Sequence, residues 1–178
     1  MVIQSKKVKF TRLPHLYLNG KCLDYVDSYK YLGVMISNTL TDNLDFERQR
    51  RALYASANRL KHNFGYCCYD IKKQLFSSFC ANLYCSHLWG TNTQTAFNRV
   101  RVAYNDAYRI LLKRDRYCSA SLMFANDSTL SFEALIRRNI YSFMCRLNCC
   151  GNILVTIVSN PVRLYSYSTG KRWRELLY

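Results

Sequence analysis

Nine cysteines and three histidines are the side chains of this chain best suited to hold a metal, yet their spacing argues against it. Structural zinc sites draw paired ligands such as C-x2-C from two places so that four donors converge on a tetrahedron. Here the cysteines pair only as neighbours, Cys67-Cys68 and Cys149-Cys150, and His15, His62 and His87 are scattered far apart. Small buried hydrophobes are the better reading of Cys80, Cys85, Cys145 and Cys149, which fall inside helical patterns, and an odd cysteine count argues against a disulfide scaffold. The eleven acids include no adjacent pair and no spacing that would gather two metal ions, and the chain has no glycine-rich phosphate loop or nucleophile elbow. Phe124-Ala125-Asn126-Asp127 would look like a polymerase's aromatic-x-Asp-Asp turn with one more acid, but Asn-Asp-Ser between helices is ordinary turn chemistry. No catalytic residue, metal or cofactor is expected.

The chemistry that remains is charge. In 178 residues, 26 Lys plus Arg stand against 11 Asp plus Glu, a formal net charge of +15. Solubility of a small domain asks for a net charge of only about 2 to 8, so the excess points to a polyanionic partner, nucleic acid or an anionic membrane surface. A membrane span needs about 20 mostly apolar residues. The best run, Leu75 to Trp89, carries Asn82, His87 and several serines behind Lys72 and Lys73, and reads as a buried helix. Met1 to Lys9 has three lysines but no apolar run after them, so a secretory signal is not expected, and an intracellular location, nucleus or cytoplasm, is. With 49% hydrophobic and 15% aromatic residues and only 6 Gly and 2 Pro, the chain belongs with globular proteins.

The elements that must carry this charge change character near residue 40. Before it come strand signals: Val8 to Phe10, then Leu16 to Leu18 and Cys22-Leu23 around Asn19-Gly20, a dipeptide suited to the positive φ of a hairpin turn. A third strand is expected over Tyr29 to Ile36, interrupted by Gly33. After residue 40 the period is helical. Asp42 can cap a helix to about Phe64 with Gly65 just past its end, Asp70 opens one that closes at Gly90, Thr95 one to about Arg114, and Ser131 one that ends before Gly151. Ile153 to Val158 reads equally as a strand or a helical turn.

At 100° per residue the first helix divides cleanly. Phe46, Leu53, Ala57, Leu60 and Phe64 form one stripe, and Arg48, Arg51, Ala55, Asn58, Arg59 and His62 fall opposite. The second is apolar nearly all round, as a central helix would be. The third turns Phe97, Val100, Tyr104, Tyr108 and Leu111 inward and leaves Arg99, Arg109, Lys113 and Arg114 outside. The fourth buries Phe132, Leu135, Ile136, Ile140, Phe143 and Leu147 and leaves Arg137, Arg138 and Arg146 exposed. Any single arginine reads as well as a solvated surface charge as a phosphate contact. Together, with few i, i+4 acid partners, they favour phosphate, for which the guanidinium is a permanently charged fork-shaped donor.

One stretch of motifs resembles a known family. Tyr29-Lys30-Tyr31-Leu32-Gly33-Val34-Met35-Ile36, preceded by Leu18-Asn19-Gly20 and followed by Arg50-Arg51-Ala52-Leu53-Tyr54-Ala55, is similar to the end of the polymerase region of LINE-type, non-LTR retrotransposon reverse transcriptases. The likeness continues through Leu75 to Cys80, Leu88-Trp89, Val100 to Arg109, Cys118 to Ser121, Phe132 to Arg137 and Arg172 to Leu177, covering nearly the whole chain. It implies that Tyr31, Leu32 and Gly33 belong to a primer-grip-like strand beside the primer's 3′ end, where the missing Cβ of Gly33 would permit close backbone approach; a bulge that bends the strand is the equal alternative. It implies further that the helices form a thumb that clamps the template-primer duplex; the likeness fixes that segment and not its contacts, for which the basic faces offer Arg48, Arg51 and Arg59, together with Arg99, Arg109 and Lys113.

Family members place their metal-binding palm carboxylates before this region, so the chain is not expected to polymerise on its own. The expected fold is mostly α, a bundle of three to four helices behind a small antiparallel β-hairpin unit. Residues 1–40 would be the hairpin and primer-grip-like strand, 41–116 a thumb-like three-helix bundle and 117–178 a helical connection segment. The expected partner is an RNA/DNA duplex or hybrid bound without sequence preference; a polymerase core supplied in trans, a protein-interaction module and a non-functional remnant are the alternatives.

Overall fold

Asn19 and Gly20 take positive φ, 50° and 76°, and close the first hairpin between β1, Tyr17–Leu18, and β2, Lys21–Cys22. Both turn residues lie in the left-handed region, which matches the right-handed twist of the flanking strands. The computed structural model describes residues 1–3, 13–90, 92–160 and 166–177; the strand expected over Val8 to Phe10 lies outside them. Leu32 and Gly33 repeat the pattern at φ 45° and 83° between β3, Ser28–Tyr31, and β4, Val34–Ser37, with Tyr31 facing Val34 and Ser28 facing Ser37. The single interrupted strand expected here is therefore corrected to a second antiparallel hairpin. Gly33 is a turn residue, not a bulge. A leucine at the first turn position hid the signal, because Leu lacks the ready access to positive φ that Asn supplies at position 19.

Seven α-helices follow among the described residues: α1 Asn43–Phe64, α2 Tyr69–Phe79, α3 Gln94–Leu112, α4 Ala120–Asn126, α5 Phe132–Asn148, α6 Ile153–Ser159 and α7 Ser168–Leu177. The fold is mostly α, as its patterning implies. Side-chain caps are plain at three starts: Thr93 Oγ1 accepts from Ala96 N, Ser131 Oγ from Ala134 N and Asn152 Oδ1 from Leu154 N. The cap at Thr93 starts α3 ahead of the expected Thr95. The cap at Asn152 makes residues 153–159 a helix. Gly65 ends α1 with right-handed φ of −62°, so its role is not conformational: a Cβ there would lie 2.4 Å from the Lys61 carbonyl oxygen. Lys72 donates its ammonium to the Gly65 carbonyl at 2.8 Å and closes that corner.

α2 departs most from its sequence pattern. Expected to run to Gly90, it stops at Phe79. Cys85 turns left-handed at φ 59°, and only a short 3-10 turn, Ser86–Leu88, follows. Tertiary bonds win here over local propensity. Gln49 on α1 donates to the Tyr84 carbonyl at 2.8 Å, and the Trp89 indole donates to buried Asp45 at 3.1 Å, which a continuous helix could not offer. The residues that seemed to circle one axis thus separate: Phe76, Cys80, Leu83 and Trp89 are buried, whereas Ile71, Phe79, Tyr84 and Leu88 are exposed.

The central helix is α3, whose Val100, Ala103, Tyr104, Ala107, Tyr108 and Leu111 are all buried. Phe76 meets the rings of Tyr104 and Tyr108 edge-on at centroid distances of 5.1 and 4.7 Å, the arrangement favoured by ring quadrupoles. Phe46 from α1, Phe124 from α4, Phe132 from α5 and Trp173 from α7 join the same cluster. α7 is held by the Trp173 indole, which donates to the His87 carbonyl at 2.6 Å, while the His87 ring stacks on Phe143 at 4.1 Å.

Burial first, and then the Arg146 charge, hold the His87 imidazole below its ordinary pKa. The unfolded chain therefore binds this proton more readily than the folded one. The contribution of His87 is intact above about pH 6.5, the ordinary histidine value, and is lost as pH falls from there toward the folded value. We expect the thermal midpoint to drop on acidification through that window and the drop to shrink in His87→Gln. Equal pH profiles for the two proteins would contradict the assignment.

Candidate nucleic-acid interface

The second hairpin presents its turn to solvent: Tyr31 and Leu32 are 58% and 73% exposed. Gly33 behind them has Tyr84 as its neighbour, with an ideal Cβ falling 3.0 Å from that ring. Any side chain at position 33 meets both a left-handed φ and this contact. Gly33→Ala is expected to cost about 1–2 kcal/mol from the backbone conformation alone, read as a lower urea midpoint at unchanged slope; no shift would mean that the turn relaxes freely.

What fixes the hairpin is Asp45, 1% exposed in the first turn of α1. Its carboxylate accepts from Met35 N of β4 at 3.2 Å, Arg48 Nε at 2.8 Å and Trp89 Nε1 at 3.1 Å. One residue thereby ties the hairpin, the first helix and the segment after α2 together. Asp42 accepts from Gly90 N at 2.9 Å beside it.

The basic residues expected on α1 divide by role. Arg48 is ion-paired to Asp45 at 2.8 Å, so its charge is largely neutralised within the fold. Arg51 and Arg59 are exposed and make no ion pair among the described residues. Around the helix axis, Tyr54 marks the edge facing α3; Arg51 lies about 60° from it, and Arg48 and Arg59 about 120–140° away, toward the segment after α2. The Cys80 thiol there is pushed up to about 12 by burial, with Arg59 pulling the other way.

Arg99, Arg109 and Lys113 sit apart from that set, along the groove between α1 and α3. One half of the groove, about 520 Å³, is lined by Glu47, Arg50, Tyr54, Thr95, Asn98, Arg99 and Val102. The other, about 470 Å³, is lined by Tyr54, Lys61, Asp106, Arg109, Ile110, Lys113, Arg114 and Arg116. Tyr54 is common to both, and its hydroxyl donates to Asp106 at 3.2 Å. Arg109 is committed to the fold: it pairs with Asp106 at 3.0 Å and donates to the Cys118 carbonyl at 2.9 Å. Hydrogen bonding from Arg50, followed by its charge and those of Arg99 and Arg51, holds Glu47 below the usual carboxylate range, although burial opposes this. Lys113, left-handed at φ 55°, ends α3.

Lys61 and Arg116 were not among the expected contacts, and Arg114 was only placed outside α3. The signal for Arg114 and Arg116 was the run Lys113-Arg114-Asp115-Arg116 at the end of α3, legible as charge but not as a groove wall until α1, with Lys61, is laid against it. Asp127 is a structural acceptor, half-buried at the end of α4. Tyr69 donates to it at 2.5 Å and Tyr108 at 2.9 Å, and Arg114 pairs with it at 3.4 Å, joining α2, α3 and α4. Among the described residues no group of three His, Cys, Asp or Glu is arranged to hold a metal, all nine cysteines are free thiols, and no helix is long and apolar enough to cross a membrane. Compared with protein-family models, with curated proteins and with solved structures, the chain finds no match.

Proposed function

We propose that the chain is the end of the palm, the thumb and the connection segment of a non-LTR retrotransposon reverse transcriptase, binding template-primer backbone without performing nucleotide transfer itself. The observation that carries this reading is the coupling of the turn that exposes Tyr31 and Leu32, through Asp45, to the helix that bears the exposed Arg51 and Arg59. A turn suited to approach a primer end and cations suited to its phosphates then share one rigid support. The charge of +15 and the lack of paired carboxylates agree with binding and not with two-metal chemistry.

The test is affinity for a short RNA–DNA hybrid across a salt series. Wild type should lose affinity steeply with salt, and Arg51→Ala with Arg59→Ala should lower the slope of log K against log salt by about 2, one per phosphate contact. Adding Arg48→Ala should change the slope little and stability more, because Asp45 loses its partner. A flat salt response of the wild type would sink the proposal.

A second reading, an interaction module that docks a polymerase core in trans, is favoured by the first hairpin. Tyr17 and Leu18 are 67% and 62% exposed there beside Leu16 and Leu23, an apolar surface larger than a two-stranded hairpin needs. A pull-down that returns only ribosomes and nucleic acid would remove this reading.

A further inference from the structure

We propose that the α1–α3 groove is a separate track for single-stranded nucleic acid, with phosphates on Lys61, Lys113 and Arg116 and a base stacked on Tyr54. The inference rests on the nucleic-acid reading above but assigns a different ligand to a different face of α1. Five cations, Lys61, Arg109, Lys113, Arg114 and Arg116, surround the half of the groove beside the end of α3, against the single acid Asp106. Asp106 is already satisfied by Arg109 and Tyr54, and Arg114 by Asp127 and Tyr69. Lys61, Lys113 and Arg116 are exposed and make no ion pair among the described residues, so their charges face the groove without a protein counter-ion.

Shape selects the strand number. The groove lies between two helices in direct contact, whose axes pack about 8–10 Å apart. That furrow admits one chain of phosphates but not a duplex cylinder, which rests instead on a convex face such as that of Arg51 and Arg59. From Glu47 to Lys61 it follows α1 for about 21 Å, the span of about six stacked nucleotides on one strand. Tyr54 is the aromatic ring that both halves share, held by its hydrogen bond to Asp106 and open to the groove on either side. A basic furrow with a fixed aromatic platform is the combination that binds single strands without sequence preference, phosphates supplying affinity and any base a face to stack. Arg50 and Arg99 extend the charge into the second half, where Glu47 offsets one of them.

The experiment uses the full chain, a labelled 12-nucleotide oligouridylate and a 12-base-pair RNA–DNA hybrid, followed by fluorescence anisotropy at low salt, with the helical circular dichroism of each variant as a check on folding. Lys113→Ala with Arg116→Ala should weaken the single strand at least tenfold and the hybrid less than threefold. Tyr54→Leu should weaken the single strand about fivefold or more, by loss of one stacked base. Arg51→Ala with Arg59→Ala should do the reverse. Lys113 and Arg116 are exposed, so their variant remains informative even if Tyr54→Leu unfolds. Equal weakening of both ligands, or a single-strand affinity unchanged by the Lys113 and Arg116 changes, overturns the separate track. A single strand fully displaced by inorganic tripolyphosphate at equal phosphate and indifferent to Tyr54→Leu marks a general anion patch and also overturns it. Hybrid binding with no single-strand binding defeats this inference alone, whereas failure of both ligands defeats the functional reading as well.

Discussion

Asp45→Ala is expected to cost about 3–5 kcal/mol, the range for breaking a buried ion pair from one side. The carboxylate is 1% exposed and serves three donors from three elements. Its removal leaves the buried Trp89 indole N–H and the Met35 amide without an acceptor, each costing about 1–3 kcal/mol, and Arg48 without its counter-charge. Asp45→Asn keeps one acceptor oxygen but turns an amide N–H₂ toward a donor, and should cost about half as much. Urea unfolding at constant slope gives the number, and hydrogen exchange at Met35 gives the location, since the hairpin should loosen before the helices do. A cost below about 1 kcal/mol, or an unchanged Met35 amide, would mean that the hairpin is held by something other than this carboxylate.

Phe76→Ala should be equally severe, about 3–5 kcal/mol for a large-to-small change at a fully buried ring. The phenyl group fills the space between Tyr104 and Tyr108, both buried and both anchored by hydroxyl hydrogen bonds, to the Leu130 carbonyl at 2.9 Å and to Asp127 at 2.9 Å. Those anchors prevent the tyrosines from collapsing into the cavity, which places the cost at the upper end. Burial also pushes both phenols well above their ordinary pKa, so neither ionises under ordinary conditions. Phe79 lies one turn along the same helix and is 59% exposed. Phe79→Ala should stay within about 0.5 kcal/mol. Were the two costs similar, the end of α2 would be packed as the long helix its sequence suggests.

That contrast marks how far the sequence could be read. The inward faces of α1, α3 and α5 were legible because their buried residues, such as Leu53, Ala57 and Leu60, or Val100, Tyr104, Tyr108 and Leu111, recur at helical spacing. The cap at Ser131 was legible because it is local. The end of α2 was not, since Gln49 and Asp45 decide it from more than thirty positions away. The turn at Leu32-Gly33 was half legible: its glycine announced an irregularity, and only cross-strand pairing made it a reversal. In the candidate interface, residue type identified the cations but not their use. Arg48 and Arg109 look like Arg51 and Lys113 in the sequence, yet the first two are spent on Asp45 and Asp106.

The carboxylate of Asp42 has a kinetic consequence. It stands at the position where a helix cap belongs, yet it serves Gly90, 48 positions along the chain, and makes no cap bond to the first turn of α1. Starting a helix is the costly step, and here the side-chain bond of the residue at the cap position forms only after a long loop has closed. The opening turn of α1 is therefore expected to fray until the segment around Trp89 and Gly90 arrives, while the middle of the helix needs no such partner to form. A peptide of residues 41–66 on its own should be helical in its middle and disordered at its beginning. The hairpin, whose Met35 amide is tied to Asp45 in that same turn, should be the last part of the molecule to dock.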